Sequence, residues 1–169
     1  MNGWNTVVDT VAAEFSDLTD IAELTRLTLR LLLAALLGGL LGMQRERHGK
    51  SAGVRTHMLV ALGAALFILV PAFLGMENDD LSRVMQGVIA GVGFLCAGTI
   101  LKADDDHIRG LTTAAGLWLT AAVGLAAGLG REATAVISAL LALAILSLER
   151  PFRRLTGSSS ERDDGRWPP

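Results

Sequence analysis

Residues 31–74 read LLLAALLGGLLGMQRERHGKSAGVRTHMLVALGAALFILVPAFL, in which a basic connector at 45–57 separates two apolar runs. The connector holds four Lys or Arg residues in thirteen positions. An apolar run of about 20 residues crosses the hydrocarbon core as a helix, and short basic loops beside such runs stay in the cytoplasm. The stretch therefore predicts two transmembrane helices joined by a cytoplasmic loop.

Apolar blocks of the same kind follow along the chain of 169 residues, of which 51% are apolar and only 19% charged. The charges collect between the blocks, which leaves almost no chain for a soluble domain. Strands of a membrane barrel would instead alternate in polarity over about ten residues. We therefore predict an all-α fold, a polytopic transmembrane helix bundle of about five spans. The predicted spans are residues 24–43, 58–75, 84–101, 111–130 and 133–148.

The number of basic residues rises and falls from one connector to the next. The first connector carries four, the second only Arg83, the third Lys102 and Arg109, and the tail after the last span five arginines. The fourth connector is a short turn around Arg131 and Glu132. Because basic loops are retained in the cytoplasm, we predict that the N-terminus is outside and the C-terminus cytoplasmic.

The two ends of the chain differ from its middle. Residues 1–23 contain five acidic residues and no Lys or Arg, so they lack the positive start of a cleavable signal peptide. Apolar residues recur there at helical spacing, which is typical of a short interfacial helix outside the cytoplasm. Residues 24–149 form the predicted transmembrane domain. Residues 150–169 have the composition of a disordered, basic cytoplasmic tail.

Three pairs of glycines lie four residues apart within the predicted spans, at 38 and 42, at 87 and 91, and at 124 and 128. Glycine lets helix backbones approach closely in lipid, so these pairs predict a compact bundle and suit a homodimer or other homo-oligomer. Gly91 and Gly93 are only two residues apart, which favours a kink or a close approach in the third span.

Arg30 lies within the first apolar run, where an arginine is costly unless it is paired or reaches the interface. Two interpretations remain open: a functional residue that faces the bundle, or a side chain that extends to the outer interface beside Arg26. The other polar groups at membrane depth are Gln86, Cys96, Thr99, Thr112, Thr113 and Thr120. They either bond to local backbone and bridge helices, or line a shared polar cavity.

Motifs for enzymatic or metal chemistry are missing from the sequence. It has no phosphate-binding glycine loop, CxxC, HExxH or GxSxG motif, so neither an enzyme nor a cofactor is predicted. The three aspartates at 104–106 and the acidic stretch at 77–80 lack the staggered spacing of a calcium loop. We favour solvated connectors there, and predict neither a metal site nor a nucleic-acid partner.

Segments 38–66, 87–102 (GVIAGVGFLCAGTILK) and 108–130 (IRGLTTAAGLWLTAAVGLAAGLG) resemble, in order and spacing, the membrane domain of the MgtC/SapB family of bacterial inner-membrane proteins. Cys96 stands where that family more often has glycine, which argues against a thiol-specific mechanism. The chain is similar to the short, SapB-like form, without the soluble cytoplasmic domain of the virulence-associated members. The resemblance and the polar residues together make functional candidates of Arg30, Arg45, Glu46, Gly53, Arg55, Thr56, His57, Gly93, Gly98, Arg109, Gly110, Thr112, Thr113 and Trp118.

The resemblance implies a multi-pass protein of the bacterial inner membrane that acts under magnesium limitation or acid stress. Inhibition of F-type ATP synthase is proposed for some members, so the expected partners are membrane lipid and ATP synthase or another membrane complex. We predict a non-enzymatic regulator of magnesium or energy homeostasis. The alternative is a small transporter or channel for an ion or small solute, with a polar path lined by Arg30, Arg55, Thr112 and Thr113.

The first connector contains more than an orienting loop requires, since positive charge alone would orient it. Glu46 is embedded among its basic residues, and the AGVRT run at 52–56 follows. We therefore expect specific contacts in this connector at the cytoplasmic ends of the first two spans.

Overall fold

The computed structural model describes residues 3–14, 20–102 and 108–148, where the chain forms helices and one short hairpin. The elements are α1 (Gly3–Glu14), α2 (Ile21–Glu46), α3 (Val54–Phe73), α4 (Asn78–Ala97), β1 (Leu101–Lys102), β2 (Ile108–Arg109), α5 (Leu111–Gly128) and α6 (Glu132–Ser147). The predicted all-α bundle is confirmed, since α2, α3, α4 and α5 are each long and apolar enough to cross a membrane. The shorter α6 is apolar and has 16 residues. The number of spans and their orientation stay predictions.

The ends of the helices have local causes. Asp20 begins α2, because its carboxylate accepts a hydrogen bond of 2.9 Å from the backbone N–H of Ala22. The predicted third span, 84–101, is wrong at its end: α4 stops at Ala97, and Leu101 belongs to β1, paired with Arg109 of β2. Strands of two residues are too short to produce a visible alternation of polarity, so the hairpin was not predicted.

Helix α3 lies between α2 and α5, and glycines line both contacts. A Cβ atom on Gly38 of α2 would lie 2.6 Å from the carbonyl oxygen of His57. A Cβ on Gly128 of α5 would lie 2.5 Å from the carbonyl oxygen of Ala65. Only glycine permits backbones this close, so the compact packing predicted from these two glycine pairs is confirmed.

The third glycine pair, Gly87 and Gly91 of α4, has no such contact. A Cβ on either residue, or on Gly93, would meet nothing within 4 Å in the described chain. The helix also runs unbroken through Gly93, so the predicted close approach there is wrong for the described residues. The reason is that α4 turns its other side, with Val92 and Cys96, into the bundle. The buried residues of α4 are Leu81, Val92 and Cys96.

The predicted N-terminal helix is present as α1, and its residues are exposed. Trp4 and the valines at 7, 8 and 11 are among its exposed apolar side chains. Its position at a membrane interface stays a prediction. The predicted tail at 150–169 and the aspartates at 104–106 lie outside the described residues.

Candidate functional site

Glu46, the acidic residue inside the basic connector, caps the start of α3. Its carboxylate accepts a hydrogen bond of 2.9 Å from the backbone N–H of Val54. A Cβ on Gly53 would lie 2.6 Å from the same carboxylate oxygen, so a side chain there would displace the carboxylate from this position. A carboxylate at a helix N-terminus satisfies a free N–H and is favoured by the helix dipole. The carboxylate thus holds the connector against α3.

Next to this cap lies a group of buried polar side chains, Arg45, His57 and Thr113, which we call the polar cluster. Arg45 is fully buried, and its Nη2 lies 3.5 Å from the hydroxyl oxygen of Thr113, in the first turn of α5. His57 is 1% exposed, and its Nδ1–H donates to the carbonyl oxygen of Gly53 at 3.0 Å. The cluster joins α2, α3 and α5 at the end of the bundle where α2 connects to α3.

Arg55 and Thr56 follow the cap in sequence but are not part of the polar cluster. Both are exposed and line a shallow surface depression with Glu46, Gly53 and Val54. Thr112 is also exposed, although its neighbour Thr113 is buried. Adjacent helical residues point about 100° apart, which separates these neighbours.

Gly110 determines how α5 begins. Its φ angle of 93° is in the left-handed region, and a Cβ there would collide with the carbonyl oxygen of Thr99. The glycine therefore lets the end of the hairpin pass against the turn that follows α4. Gly98 is the C-cap residue that follows Ala97 at the end of α4, and Arg109 lies in β2. These three candidates shape the link between α4 and α5.

Arg30 faces the bundle, at the opposite end from the polar cluster. Its Nη1 donates to the carbonyl oxygen of Gly128 at 3.2 Å, and its Nε lies 3.5 Å from a carboxylate oxygen of Glu132. The guanidinium carbon is 6.0 Å from the ring centre of Phe73. A Cβ on Gly130 would collide with the guanidinium. We call this group the Arg30 clamp, and it fastens α2 to the ends of α3 and α5 and the start of α6.

The Arg30 clamp and the polar cluster lie at opposite ends of the bundle, and the polar path considered above stays a prediction. At a rise of 1.5 Å per residue, about 22 Å of helix separates Arg30 from Arg45, and the same length separates Thr113 from Gly128. Helices α2 and α5 run antiparallel, with one arginine of α2 bound at each end of α5. Arg30, Arg55, Thr112 and Thr113 therefore do not line one cavity in the described chain.

Three other polar groups at membrane depth bond to backbone carbonyls. The hydroxyl of Thr120 donates to Gly116 at 2.8 Å, and that of Thr99 donates to Cys96 at 2.8 Å. The Cys96 thiol donates to the carbonyl oxygen of Ala114 at 3.1 Å and joins α4 to α5. Of the two interpretations of the polar groups, bonding to backbone and bridging of helices fits these three.

Two apolar hollows were not predicted from the sequence. The α3–α4 groove, of about 620 Å³, is open and is lined by Gly63 and Phe67 of α3 and by Gly87 and Gly91 of α4, among others. The other, which we call the His57 cavity, is about 160 Å³ and lies between α2, α3, α5 and α6. Trp118 is half-exposed and lines a smaller crevice between α4 and α5. Only the spacing of Gly87 and Gly91 gave a signal for any of these.

Metal-binding groups do not assemble within the described ranges. No three His, Cys, Asp or Glu residues there lie together in a way that could hold a metal ion. The carboxylate of Glu46 accepts a hydrogen bond at the start of α3, and that of Glu132 contacts Arg30. These two carboxylates therefore cap a helix and join helices.

Comparison with known proteins finds a family model and several relatives that match this chain. The model of the MgtC family matches residues 31–155. Protein SrpB of Synechococcus elongatus is 44% identical over 143 residues, which cover 76% of each chain. The "Putative magnesium transporter YhiD" of Escherichia coli is 40% identical over 76% of this chain and 61% of its own length. Protein MgtC of Brucella abortus is 41% identical over 70% of this chain and 49% of its own length.

No solved structure matches the chain. The matched part spans less than two thirds of YhiD and about half of the Brucella protein. The family match nevertheless covers most of this chain, including every helix from α3 to α6. Together with the long apolar helices, these matches identify a multi-pass membrane protein that belongs to the MgtC family.

Proposed function

We propose that this chain is a non-enzymatic regulator of magnesium homeostasis in the bacterial inner membrane, acting through membrane partners. Membership of the MgtC family and the name of the relative YhiD support the link with magnesium. The way in which the helices pack supports regulation over transport.

The observation that carries the proposal is the closed middle of the bundle. Backbones approach closely there, because Gly38 of α2 and Gly124 of α5 both pack on Ala61 of α3. The helix stretch between the Arg30 clamp and the polar cluster contributes mainly alanine, leucine and glycine to the core. A permeating ion must exchange its hydration shell for polar groups along its path, and the buried polar side chain of α5 in this middle, Thr120, already bonds to the backbone carbonyl of Gly116.

The α3–α4 groove supports the second part of the proposal, the membrane partner. In the two filled contacts of this bundle, glycines spaced four apart receive the backbone of a neighbouring helix. Gly87 and Gly91 have the same spacing on α4, with Gly63 across the groove on α3, and all three are open. By the same packing rule, the occupant is a transmembrane helix of a partner protein. F-type ATP synthase is the partner to test first, since the family resemblance implies it.

Flux measurements test the choice between regulator and transporter. The purified protein is reconstituted into vesicles that hold a magnesium-sensitive dye, and external magnesium is raised. We expect the signal of empty vesicles. A magnesium flux that depends on the protein would replace the regulator by a transporter.

A substitution in the groove tests the partner. Gly87→Leu fills the α3–α4 groove, whereas Ala90→Leu adds a leucine to an exposed position of α4 outside it. In a strain lacking this protein, we expect Ala90→Leu to restore growth at low magnesium and Gly87→Leu to fail. Wild type and Ala90→Leu should be recovered with ATP synthase in mild detergent, and Gly87→Leu should not. Loss of a homodimer in Gly87→Leu would instead make the occupant a second copy of the chain, and equal growth of both variants would refute the groove as a functional surface.

A further inference from the structure

The His57 cavity combines an apolar wall with one unused hydrogen-bond acceptor. It is lined by Leu41 of α2, His57 of α3, Thr112 and Gly116 of α5, and Ala142 and Ile145 of α6, among others. Its volume is about 160 Å³. An apolar cavity of about 150 Å³ in another protein holds a benzene molecule, so a small ring fits a space of this size.

The acceptor is Nε2 of His57. The ring is 1% exposed, and its Nδ1–H is used by the carbonyl oxygen of Gly53. In the neutral ring, Nε2 then carries a lone pair, and it has no hydrogen-bond partner among the described residues. Nε2 is also the nearest atom to the position that a Cβ on Gly116 would take, at 3.8 Å, and both residues line the cavity. The lone pair therefore faces the cavity.

The electrostatics of the site select an uncharged ligand. The apolar lining disfavours any ion, because an ion would lose its water there, and the buried Arg45 places a positive charge near the His57 ring that further disfavours cations. A ligand that donates a hydrogen bond to this lone pair gains in affinity.

The mouth of the cavity opens sideways. Thr112, Ala115 and Ile145 are exposed lining residues, whereas Leu41, His57 and Ala142 form its buried floor. The mouth thus lies on the outer surface of α5 and α6, where lipid surrounds a membrane bundle. A lipid-soluble ligand can therefore enter the cavity from the side of the bundle.

We propose that the His57 cavity binds a small, neutral, lipid-soluble molecule with one hydroxyl donor, of the size of a phenol, whose hydroxyl donates to Nε2 of His57. This site is independent of the α3–α4 groove and of the regulatory role.

The test uses two probes that differ only in the hydroxyl, 4-fluorophenol and fluorobenzene, followed by fluorine NMR on the purified protein in lipid nanodiscs. Nanodiscs without protein give the background from partition into lipid. We expect saturable broadening of the 4-fluorophenol signal, with an affinity roughly three- to tenfold higher than that of fluorobenzene, as one net hydrogen bond predicts.

Two variants locate the site. His57→Phe keeps a ring of similar size without the acceptor, and should lower the affinity for 4-fluorophenol to that for fluorobenzene. Gly116→Leu fills the cavity and should abolish binding of both probes. Ala90→Leu is the control, since position 90 is exposed on α4 and lies outside the cavity, and it should bind as wild type does.

The wild-type protein tests the role of His57 by itself, so the test holds even if His57→Phe does not fold. Equal affinity of the wild type for the two probes would overturn the role of His57 and with it the proposal. Binding that survives in Gly116→Leu would place the probes elsewhere, and a signal no larger than that of empty nanodiscs would show partition into lipid only. Both results would overturn the site.

Discussion

Gly38→Ala is the sharpest test of the packing around α3. The added Cβ would lie 2.8 Å from the Cβ of Ala61 and 2.6 Å from the carbonyl oxygen of His57. Carbon atoms rest about 3.5 Å apart or more, so α2 must move away from α3 by about 0.7 Å. Overpacking of this kind costs about 1–3 kcal/mol. The same substitution also raises helix propensity by about 1 kcal/mol, which opposes the packing cost.

Gly91→Ala is the matched control, because it gains the same propensity and its Cβ meets nothing within 4 Å. The propensity gain cancels between the two variants, so their free energies of unfolding should differ by the packing cost, about 1–3 kcal/mol, with Gly38→Ala the less stable. The assay is reversible unfolding in mixed micelles with increasing dodecyl sulfate, followed by tryptophan fluorescence. Equal stability of the two variants would refute the glycine contact between α2 and α3.

Three further substitutions address other contacts, and one reagent reports on burial. Arg30→Met should lower the free energy of unfolding by roughly 1.5–3 kcal/mol, the value of hydrogen bonds to charged groups; an unchanged unfolding curve would mean that the Arg30 clamp does not form. Glu46→Gln removes the charge at the start of α3 and should lower the free energy of unfolding by about 0.3–1 kcal/mol in the same assay at low salt. High salt should make this loss smaller, and a loss that is equal or larger at high salt would contradict the charge effect. Arg55→Lys should keep the topology, read by protease protection of tagged termini, yet reduce growth at low magnesium, because lysine lacks the planar guanidinium; full growth would leave Arg55 an orienting charge. Cys96, the only cysteine, is buried, so a maleimide should label the folded protein slowly and the unfolded protein fast, and equal rates would contradict its burial.

The fold was predictable because its helices are coded by long apolar runs. Residues 31–43 and 58–73 are apolar almost throughout, and both lie within helices of the structure. The hairpin between α4 and α5 was not predictable, because Leu101 continues an apolar run and only tertiary pairing with Arg109 makes it a strand. The sequence also does not reveal that α4 ends four residues before that run does.

The sequence indicates individual residues of the candidate site better than it indicates which of them lie together. Glu46 was singled out because an acidic residue in a basic loop needs a local reason, and its bond to Val54 supplies one. The sequence alone does not give the direction of Arg30, because the distance to the interface along α2 suits both interpretations. Its partners Gly128 and Glu132 lie about 100 residues later in the chain. The three glycine pairs have the same spacing in the sequence. In the structure, the pairs on α2 and α5 contact α3, which lies between these helices, whereas the pair on α4 is open.

Arg30 and Arg45 hold the two ends of α2 against α5. Arg30 bonds to Gly128, and Arg45 lies against Thr113, with equal numbers of residues between the two points on α2 and on α5. Sliding α2 along α5 by one helical turn, about 5.4 Å, would release both ends at once, so a register shift has no intermediate that keeps either bond. Helix α4, with three buried residues and no arginine of this kind, is free of that constraint. A change of shape in this protein would therefore be a movement of α4 against a rigid frame of α2, α3 and α5.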